Sequence, residues 1–543
     1  MEAPLFSIST QEKISKLITK YLNSFSKQEQ NYILVGLKVF ADLDYVLDSN
    51  EGVISLDLFQ KSLSKINEKE QRLKNTGVYF TPSDVTQYIV ANTFLHYLFP
   101  KNNLIDSYCS CKNSILNGNY KRIISASIFD PTCGTAEFLL TALELKFELC
   151  SNINDRIVIQ IVSSIYGNDI ALESLYLSKI RLFFAAVSRL SNKSNAIKIA
   201  KMLEKNFTTE DYVIHTPLEP RYDIIVGNPP YAEYSKVAIK PSNNFGNIYA
   251  DVLSNAIDSL NDNGCISFVI PISFVSTNRM SRIREIVFSK LGYLFVLNYA
   301  DRPDCLFDGV HQKLTILVGV KCNKKCEIFS SSYIRWYTQE REQIFNFCNV
   351  FPVTSTIRYI PKIGNDIEWN IFEKIKSVKG VSLLHTLTEC EEPNTYLNMR
   401  GCFWIKAFSF NPGSNEYKSF STSSTLNAYI LSVLNSSLFF FYWTAVSDCW
   451  HITNNDLAEF IIPTENVETE NFKMLYEQLE EKLESTKRYI GSKQVEYEYK
   501  HRECKFIIDK IDDILGEVYH LTKIEVEYLK VFELKYRMSN GEV

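Results

Sequence analysis

A run of β-branched residues that halts at two consecutive prolines sets the first constraint on this chain: Tyr222-Asp223-Ile224-Ile225-Val226-Gly227-Asn228-Pro229-Pro230-Tyr231. Ile224, Ile225 and Val226 favour a buried strand, and proline cannot donate a ladder hydrogen bond, so the strand must stop at Asn228. The Asn228 amide is then held at the strand's carboxyl end, the edge where open α/β sheets bind ligands. Its carboxamide oxygen and the Pro229 carbonyl are both acceptors and suit a planar amino group, while Tyr231 can stack on the ring that carries it. The motif reads as a socket for an exocyclic amine. A loop tip built of ordinary turn residues would look the same in isolation, so the rest of the chain carries the decision.

Upstream, Thr81-Pro82-Ser83-Asp84 opens an apolar helix, with Thr81 expected as its cap and Pro82 at the first helical position. Residues 100–120 carry no period and read as a loop. An apolar strand is expected over 123–129, leading into Asp130-Pro131-Thr132-Cys133-Gly134-Thr135-Ala136-Glu137 and a helix. Strand, small-residue turn and helix begin a nucleotide-binding α/β unit. This turn is no phosphate loop: it lacks Gly-x-Gly-x-x-Gly and Gly-Lys-Ser/Thr, and Asp130 at its mouth would repel a pyrophosphate. An acid there suits a cationic amino acid moiety such as that of S-adenosylmethionine.

A second strand near 161–166 ends in Gly167-Asn168-Asp169, where an acidic residue can accept from ribose hydroxyls. A third, weaker unit closes at Glu210-Asp211-Tyr212; Asp211 can accept from an adenine amino group and Tyr212 can cover its face. Past the socket come a helix over 248–260, a turn at Asn263-Gly264, a strand over 265–274, a helix over 282–290, and strands over 293–299 and 314–320. About seven strands alternating with helices, the last two hairpin-like, imply a doubly wound sheet with one late reversed strand.

Length bounds the remainder. At 543 residues the chain accommodates two or three domains. Residues 1–75 read as amphipathic helices, and Glu68-Lys69-Glu70 as a solvated helix face rather than part of a nuclease site. The 13 cysteines include no Cys-x-x-Cys pair; Cys109/Cys111 and Cys322/Cys326 come nearest to metal spacing and lack partner histidines, so no metal is expected. A net charge of -5 disfavours a nucleic-acid partner without excluding one, because charge can be segregated to one face. No long uncharged apolar run and no leader-like N-terminus occur, so no membrane association and a cytoplasmic protein are expected.

In this order, the motifs resemble the gamma-class amino-group DNA methyltransferases that act on adenine N6, of the restriction-modification type. The resemblance covers about 75–320, and more loosely the C-terminal part, and implies a doubly wound, seven-stranded, Rossmann-like S-adenosylmethionine-dependent domain, placed at 76–330. It implies that Tyr79 and Thr81 contact the methionine end of the cofactor, Asp130 its amino group, Asp169 its ribose and Asp211 its adenine, with Pro230 lining that pocket and Gly134 and Tyr212 completing the set. Asn228 and the Pro229 carbonyl would hold the target amine, and Tyr231 would stack on the flipped base. Two departures stand out. The family's second loop glycine is Ala136 here, which fits only at negative φ. A second aromatic against the base would be Phe307 or His311, and the sequence does not choose between them.

From about 330 the alternation stops. Trp336, Tyr337, Tyr396, Arg400, Phe403, Trp404, Lys406 and Phe408 interleave aromatics with cations, and Leu434-Asn435-Ser436-Ser437-Leu438 resembles segments of specificity domains. A mixed α+β target-recognition domain over 331–470 is expected, followed by a helical segment over 471–543, whose Leu475, Leu479 and Leu483 could brace the molecule or meet a partner. Double-stranded DNA is the expected partner, with a separate restriction endonuclease compatible. A protein-glutamine or RNA adenine methyltransferase and a catalytically silent DNA-binding subunit are the competing readings.

Overall fold

The computed structural model describes residues 6–40, 52–70, 81–102, 105–214, 219–234, 243, 245–346, 348–388, 392–465, 467–491 and 496–539. At its centre is a nine-stranded sheet of order β3-β2-β1-β4-β5-β7-β6-β8-β9. The strands are β1 (Ile128–Asp130), β2 (Ile165–Asn168), β3 (Phe207–Thr208), β4 (Tyr222–Gly227), β5 (Leu260–Pro271), β6 (Tyr293–Tyr299), β7 (Leu314–Val320), β8 (Glu327–Ile334) and β9 (Phe351–Val353). β1 pairs in parallel with β2 and β4, and β4 with β5, whereas β7 runs antiparallel to both β5 and β6. Every residue of β6 and β7 is buried, as expected of strands covered by helices on both faces. The strand order reverses between β1 and β4, which opens a crevice at their carboxyl ends.

The helix Ser83–Leu98 is apolar nearly all round and lies against β4 and β5. The N-terminal helices Ile8–Leu22, Lys27–Leu37 and Leu56–Glu70 add an outer layer over Leu172–Arg189 and Ala196–Asn206. There the Phe59 ring meets Tyr21 and Phe184 with centroids 5.0 and 4.9 Å apart.

Several expectations change. The strand foreseen over 123–129 is a short helix, Tyr120–Ser125, followed by only three residues of β1. The one foreseen over 161–166 begins inside the helix Asp155–Ser163, whose Val158, Ile161 and Val162 share one buried face. Asn263-Gly264 is an irregularity within β5, with Asn263 at φ 61°, rather than a turn between elements. The sheet also continues across 330, because β8 pairs in parallel with β6. Ser330-Ser331-Ser332 hides this strand from a hydropathy reading. Their hydroxyls are satisfied inside: Asn298 donates from Nδ2 to Ser330 Oγ (3.2 Å) and from its backbone to Ser331 Oγ (2.9 Å), and Ser332 donates to Glu368 (2.7 Å).

In the C-terminal part, the three-stranded sheet formed by Thr395–Asn398, Ala407–Phe408 and Tyr417–Phe420 packs beside the helices Asn427–Asn435 and Ser437–Val446, bent by 60° at their junction. The Leu-Asn-Ser segment is that junction. Asn435 donates to the carbonyls of Ala407 (2.8 Å) and Leu431 (2.9 Å) and accepts from the Ala407 N–H and His501, while the Ser437 N–H donates to Asp512. Leu475, Leu479 and Leu483 are buried on the helix Thr469–Thr486, which packs against Asn427–Asn435, the first helix of the bent pair. Among the described residues no single helix is long and apolar enough to cross a membrane.

One buried cation stands apart. Lys146 is fully buried, its ammonium donating to the Ala126 carbonyl and Ser164 Oγ, both at 2.7 Å. Burial lowers its pKa to about 7. From there up to the ordinary lysine range the unfolded chain holds a proton the folded chain has released, so this group makes stability rise with pH. Lys146→Met should flatten that rise, as read by urea unfolding at neutral and alkaline pH.

Candidate functional site

Gly227 ends β4 where a Cβ atom would come within 2.7 Å of Asp130 Oδ1, so the two strand ends approach closely only because this residue has no side chain. Asn228 follows, half-buried, with Pro229 buried and Pro230 and Tyr231 partly exposed. Asn228 Nδ2 donates to Thr81 Oγ1 at 3.0 Å, and the Tyr231 hydroxyl reaches Asn228 Oδ1 at 2.5 Å and the Val269 carbonyl at 3.2 Å. Thr81 is therefore not a helix cap. Pro82 occupies that position without a side-chain bond, and the Thr81 hydroxyl instead orients an amide 147 residues away. A carboxamide whose NH₂ is engaged turns its oxygen toward the tyrosine side.

The turn after β1 is held from three directions. Asp130, 1% exposed, accepts from the Thr132 N–H at 3.0 Å. Asp169 accepts from the Gly134 N–H and the Ala171 N–H, both at 2.8 Å, which ties the β1 turn to the end of β2. From the helix Leu172–Arg189, Ser178 donates to the Gly134 carbonyl and Arg181 to the Thr135 carbonyl, while Arg181 also pairs with Glu137 and Gln60. Asn168 bonds the Pro131 carbonyl (3.0 Å), the Glu210 carbonyl (2.9 Å) and the Thr208 hydroxyl (2.9 Å), so a single side chain cross-links the ends of β1, β2 and β3. Sequence reasoning did not single out Asn168, Ser178 or Arg181. Asn168 had a visible signal, lying between a strand and an acid; the other two look like ordinary members of an amphipathic helix.

Ala136 overturns one expectation. It has φ 68°, not a negative value, because the turn must reverse before the helix Glu137–Glu148, and its N–H closes on the Cys133 carbonyl at 2.7 Å. Left-handed backbone costs a non-glycine residue about 1–2 kcal/mol, comparable with the ~0.8 kcal/mol of its buried methyl. Ala136→Gly should thus leave stability within about 1 kcal/mol, whereas Ala136→Val, β-branched at positive φ in a closed site, should cost about 3 kcal/mol. Denaturant unfolding of the two variants checks both.

Electrostatics define what the crevice can hold. Burial pushes the Asp130 carboxyl well above its usual range, the Thr132 N–H opposes this, and neighbouring Asp169 pushes it further up. Asp169 is itself raised, chiefly by burial. Thr132 Oγ1 is buried with no partner among the described residues. Two crowded carboxylates beside an unpaired hydroxyl suit a ligand that brings a cation and hydrogen-bonding groups, which fits the amino acid end of S-adenosylmethionine.

The other candidates fall at different depths. Asp211, half-buried, accepts from the Val213 N–H at 3.1 Å. The Tyr212 ring lies in the core 5.6 Å from Phe129, its hydroxyl 2.8 Å from Ser259 Oγ. Tyr79 lies outside the described residues. Phe307 is 1% exposed, whereas His311 is at the surface with Nδ1 3.3 Å from the Asp301 carbonyl. Among the described residues no group of three or more His, Cys, Asp or Glu side chains could hold a metal. Of the C-terminal aromatics and cations, Trp336 and Phe408 are buried, and Trp404 carries Arg537 over its ring at 4.0 Å. Phe403 faces Arg335, which pairs with Glu533 at 2.8 Å. Arg400 remains exposed, paired with Glu416 at 3.0 Å.

The sheet order 3-2-1-4-5-7-6 with a reversed seventh strand, covered by helices, is a Rossmann-like α/β methyltransferase fold. Residues 163–302 match the family model described as Eco57I restriction-modification methylase. The type II methyltransferase M.VspI of Vibrio sp. (strain 343) is 23% identical over 237 residues, which is 42% of this chain and 44% of that protein. A putative type II restriction enzyme and methyltransferase, RM.MjaORFECS2P of Methanocaldococcus jannaschii, is 24% identical over 34% of this chain and 18% of its own length. The chain thus matches less than half of either relative. Among solved structures, the type IIL restriction-modification enzyme MmeI in complex with DNA is 14% identical, covering 91% of this chain and 83% of that one with a TM-score of 0.49.

Proposed function

We infer that this chain is a DNA methyltransferase that uses S-adenosylmethionine to methylate N6 of an adenine flipped out of duplex DNA, within a restriction-modification system. The observation that carries this reading is the Asn228 amide, fixed between Thr81 and Tyr231 at the carboxyl end of β4 and close to the Asp130 turn. The match to a restriction-modification methylase family and to type II methyltransferases supports it.

When bound, the cofactor supplies an electrophilic methyl group on a sulfonium. Asp130 would meet its amino group, Asp169 its ribose and Asp211 its adenine, with Thr132 and Gly134 lining the turn and Pro230 the adenine pocket. At the other end of the site, Asn228 Oδ1 and the Pro229 carbonyl would accept from the target amine. That draws the nitrogen toward a tetrahedral geometry and frees a lone pair otherwise delocalised into the ring. The contribution is positioning and electrostatics, and no side chain need act as a strong base. Extrusion of the base costs a few kcal/mol, offset in part by stacking on Tyr231. The amine would displace the Tyr231 hydroxyl from Asn228 Oδ1, and exposed His311 is the better second wall, since Phe307 is already buried.

Long-read modification sequencing of DNA from a methylation-free host expressing the chain tests the reading. N6-methyladenine confined to one short sequence is the expected result. Unmodified DNA, with methyl transfer instead to RNA or to protein glutamine in the same extract, would overturn it.

A further inference from the structure

Arg341 lies on the turn Thr338–Gln343 that follows β8, distant in sequence from every motif of the site. Its guanidinium makes four hydrogen bonds in one plane of donors. Nε donates to Asp84 Oδ2 at 2.8 Å and Nη2 to Asp84 Oδ1 at 3.2 Å, while Nη1 donates to the Cys305 carbonyl at 3.1 Å and Nη2 to the Leu306 carbonyl at 2.9 Å.

The two partners come from segments more than 200 residues apart in the chain. Asp84 stands in the first turn of the helix Ser83–Leu98, three positions after Thr81, whose hydroxyl orients the Asn228 amide. Cys305 and Leu306 lie within the loop that joins β6 to β7 and carries Phe307 and His311. A rigid fork that joins the two segments fixes their separation more closely than a flexible ammonium could. The Arg341 and Asp84 side chains are 20% and 39% exposed, so solvent screens the pair in part, and what the bidentate fork adds is chiefly a fixed geometry. The same turn is anchored to the C-terminal helices, through a Glu340–Lys535 ion pair and a Tyr337 hydroxyl donating to the Lys535 carbonyl at 3.2 Å.

We propose that Arg341 is a positioning residue of the base socket: by holding Asp84 and the 305–306 carbonyls on one guanidinium, it sets where Thr81 sits and thereby how the Asn228 amide is turned. This rests on the methyltransferase reading above. The guanidinium's four hydrogen bonds go to Asp84, Cys305 and Leu306, so its part is positioning.

The test is transfer of tritiated methyl from S-adenosylmethionine to DNA of a methylation-free host, for the full chain and for Arg341→Ala, Arg341→Lys, Thr81→Ala and the Arg341→Ala/Thr81→Ala pair. Turnover of Arg341→Ala at saturating cofactor and DNA should fall about 10²-fold, as misplacement of a reacting group by about 1 Å commonly does. Cofactor affinity and melting temperature should stay near those of the parent chain. Arg341→Lys should not restore turnover, since it keeps the charge without the fork. The double variant should be no slower than the slower single one, because both changes act on the same amide. Turnover of Arg341→Ala within twofold of the parent overturns the proposal. So do losses that multiply in the pair, or a turnover loss matched by a lowered melting temperature. A parent chain that transfers no methyl to DNA defeats the underlying reading, and this proposal with it.

Discussion

Asn228→Ala is expected to lower methyl transfer to DNA by about 10³-fold, the scale seen when one preorganised hydrogen-bonding group is removed from a reacting centre. The variant loses the Oδ1 acceptor outright. It also strips the Thr81 hydroxyl of its 3.0 Å donor and leaves the Tyr231 hydroxyl to its bond with the Val269 carbonyl, so both flanking side chains lose their contact with the amide. Asn228 is only half-buried and follows a strand whose own pairing is intact, so folding should change little. Cofactor affinity should also hold, because the amide faces the acceptor side of the site. Single-turnover transfer beside calorimetric cofactor binding separates the two. Transfer within tenfold of the parent chain would remove Asn228 from the reaction.

Asp130→Asn should weaken S-adenosylmethionine binding by about 10²-fold, in line with the loss of one charge-assisted contact in a closed site. The isosteric amide can still accept from the Thr132 N–H, so the turn should keep its shape. The pH dependence follows from the raised carboxyl. Only the ionised form attracts a cation, so affinity in the parent chain should rise with pH as Asp130 deprotonates, and the variant should lose that rise. Stability moves the other way. A folded-state pKa above the unfolded value means the folded chain binds the proton more tightly, so stability falls as pH climbs from the usual carboxylate range through the raised one. Asp130→Asn should therefore be at least as stable as the parent at neutral pH, a trade of binding against stability. Calorimetric titration across acidic and neutral pH measures the first effect, and urea unfolding at the same pH values the second.

How legible was this in the residues? Strands β6 and β7 lie where largely apolar runs put them, and β4 ends where two prolines require it. Segments with mixed signals came out differently. The isoleucines before β1 and β2 suit either a strand or one face of a helix, and packing against neighbours selected the helix. Three consecutive serines concealed β8 because their hydroxyls are satisfied by Asn298 and Glu368, side chains that no local window contains. Several of the aromatics and cations expected to face DNA are buried or paired elsewhere in the chain, as in the stack of Arg537 on Trp404.

The site divides along the same line. The positions of Asn228, the prolines and the acids at the ends of β1 and β2 are determined by the chain itself, since β-branched strands, proline stops and small-residue turns act within a few covalent bonds. That Thr81 orients Asn228 instead of capping its own helix, that Ala136 takes a left-handed turn, and that Arg181 and Arg341 hold the loops in place were decided only by tertiary structure. A hydroxyl, a carbonyl and a guanidinium each have many possible partners in an open chain. Burial of apolar surface far from the site closes the sheet and helices around them, and what remains within hydrogen-bonding distance is then the only way to satisfy them.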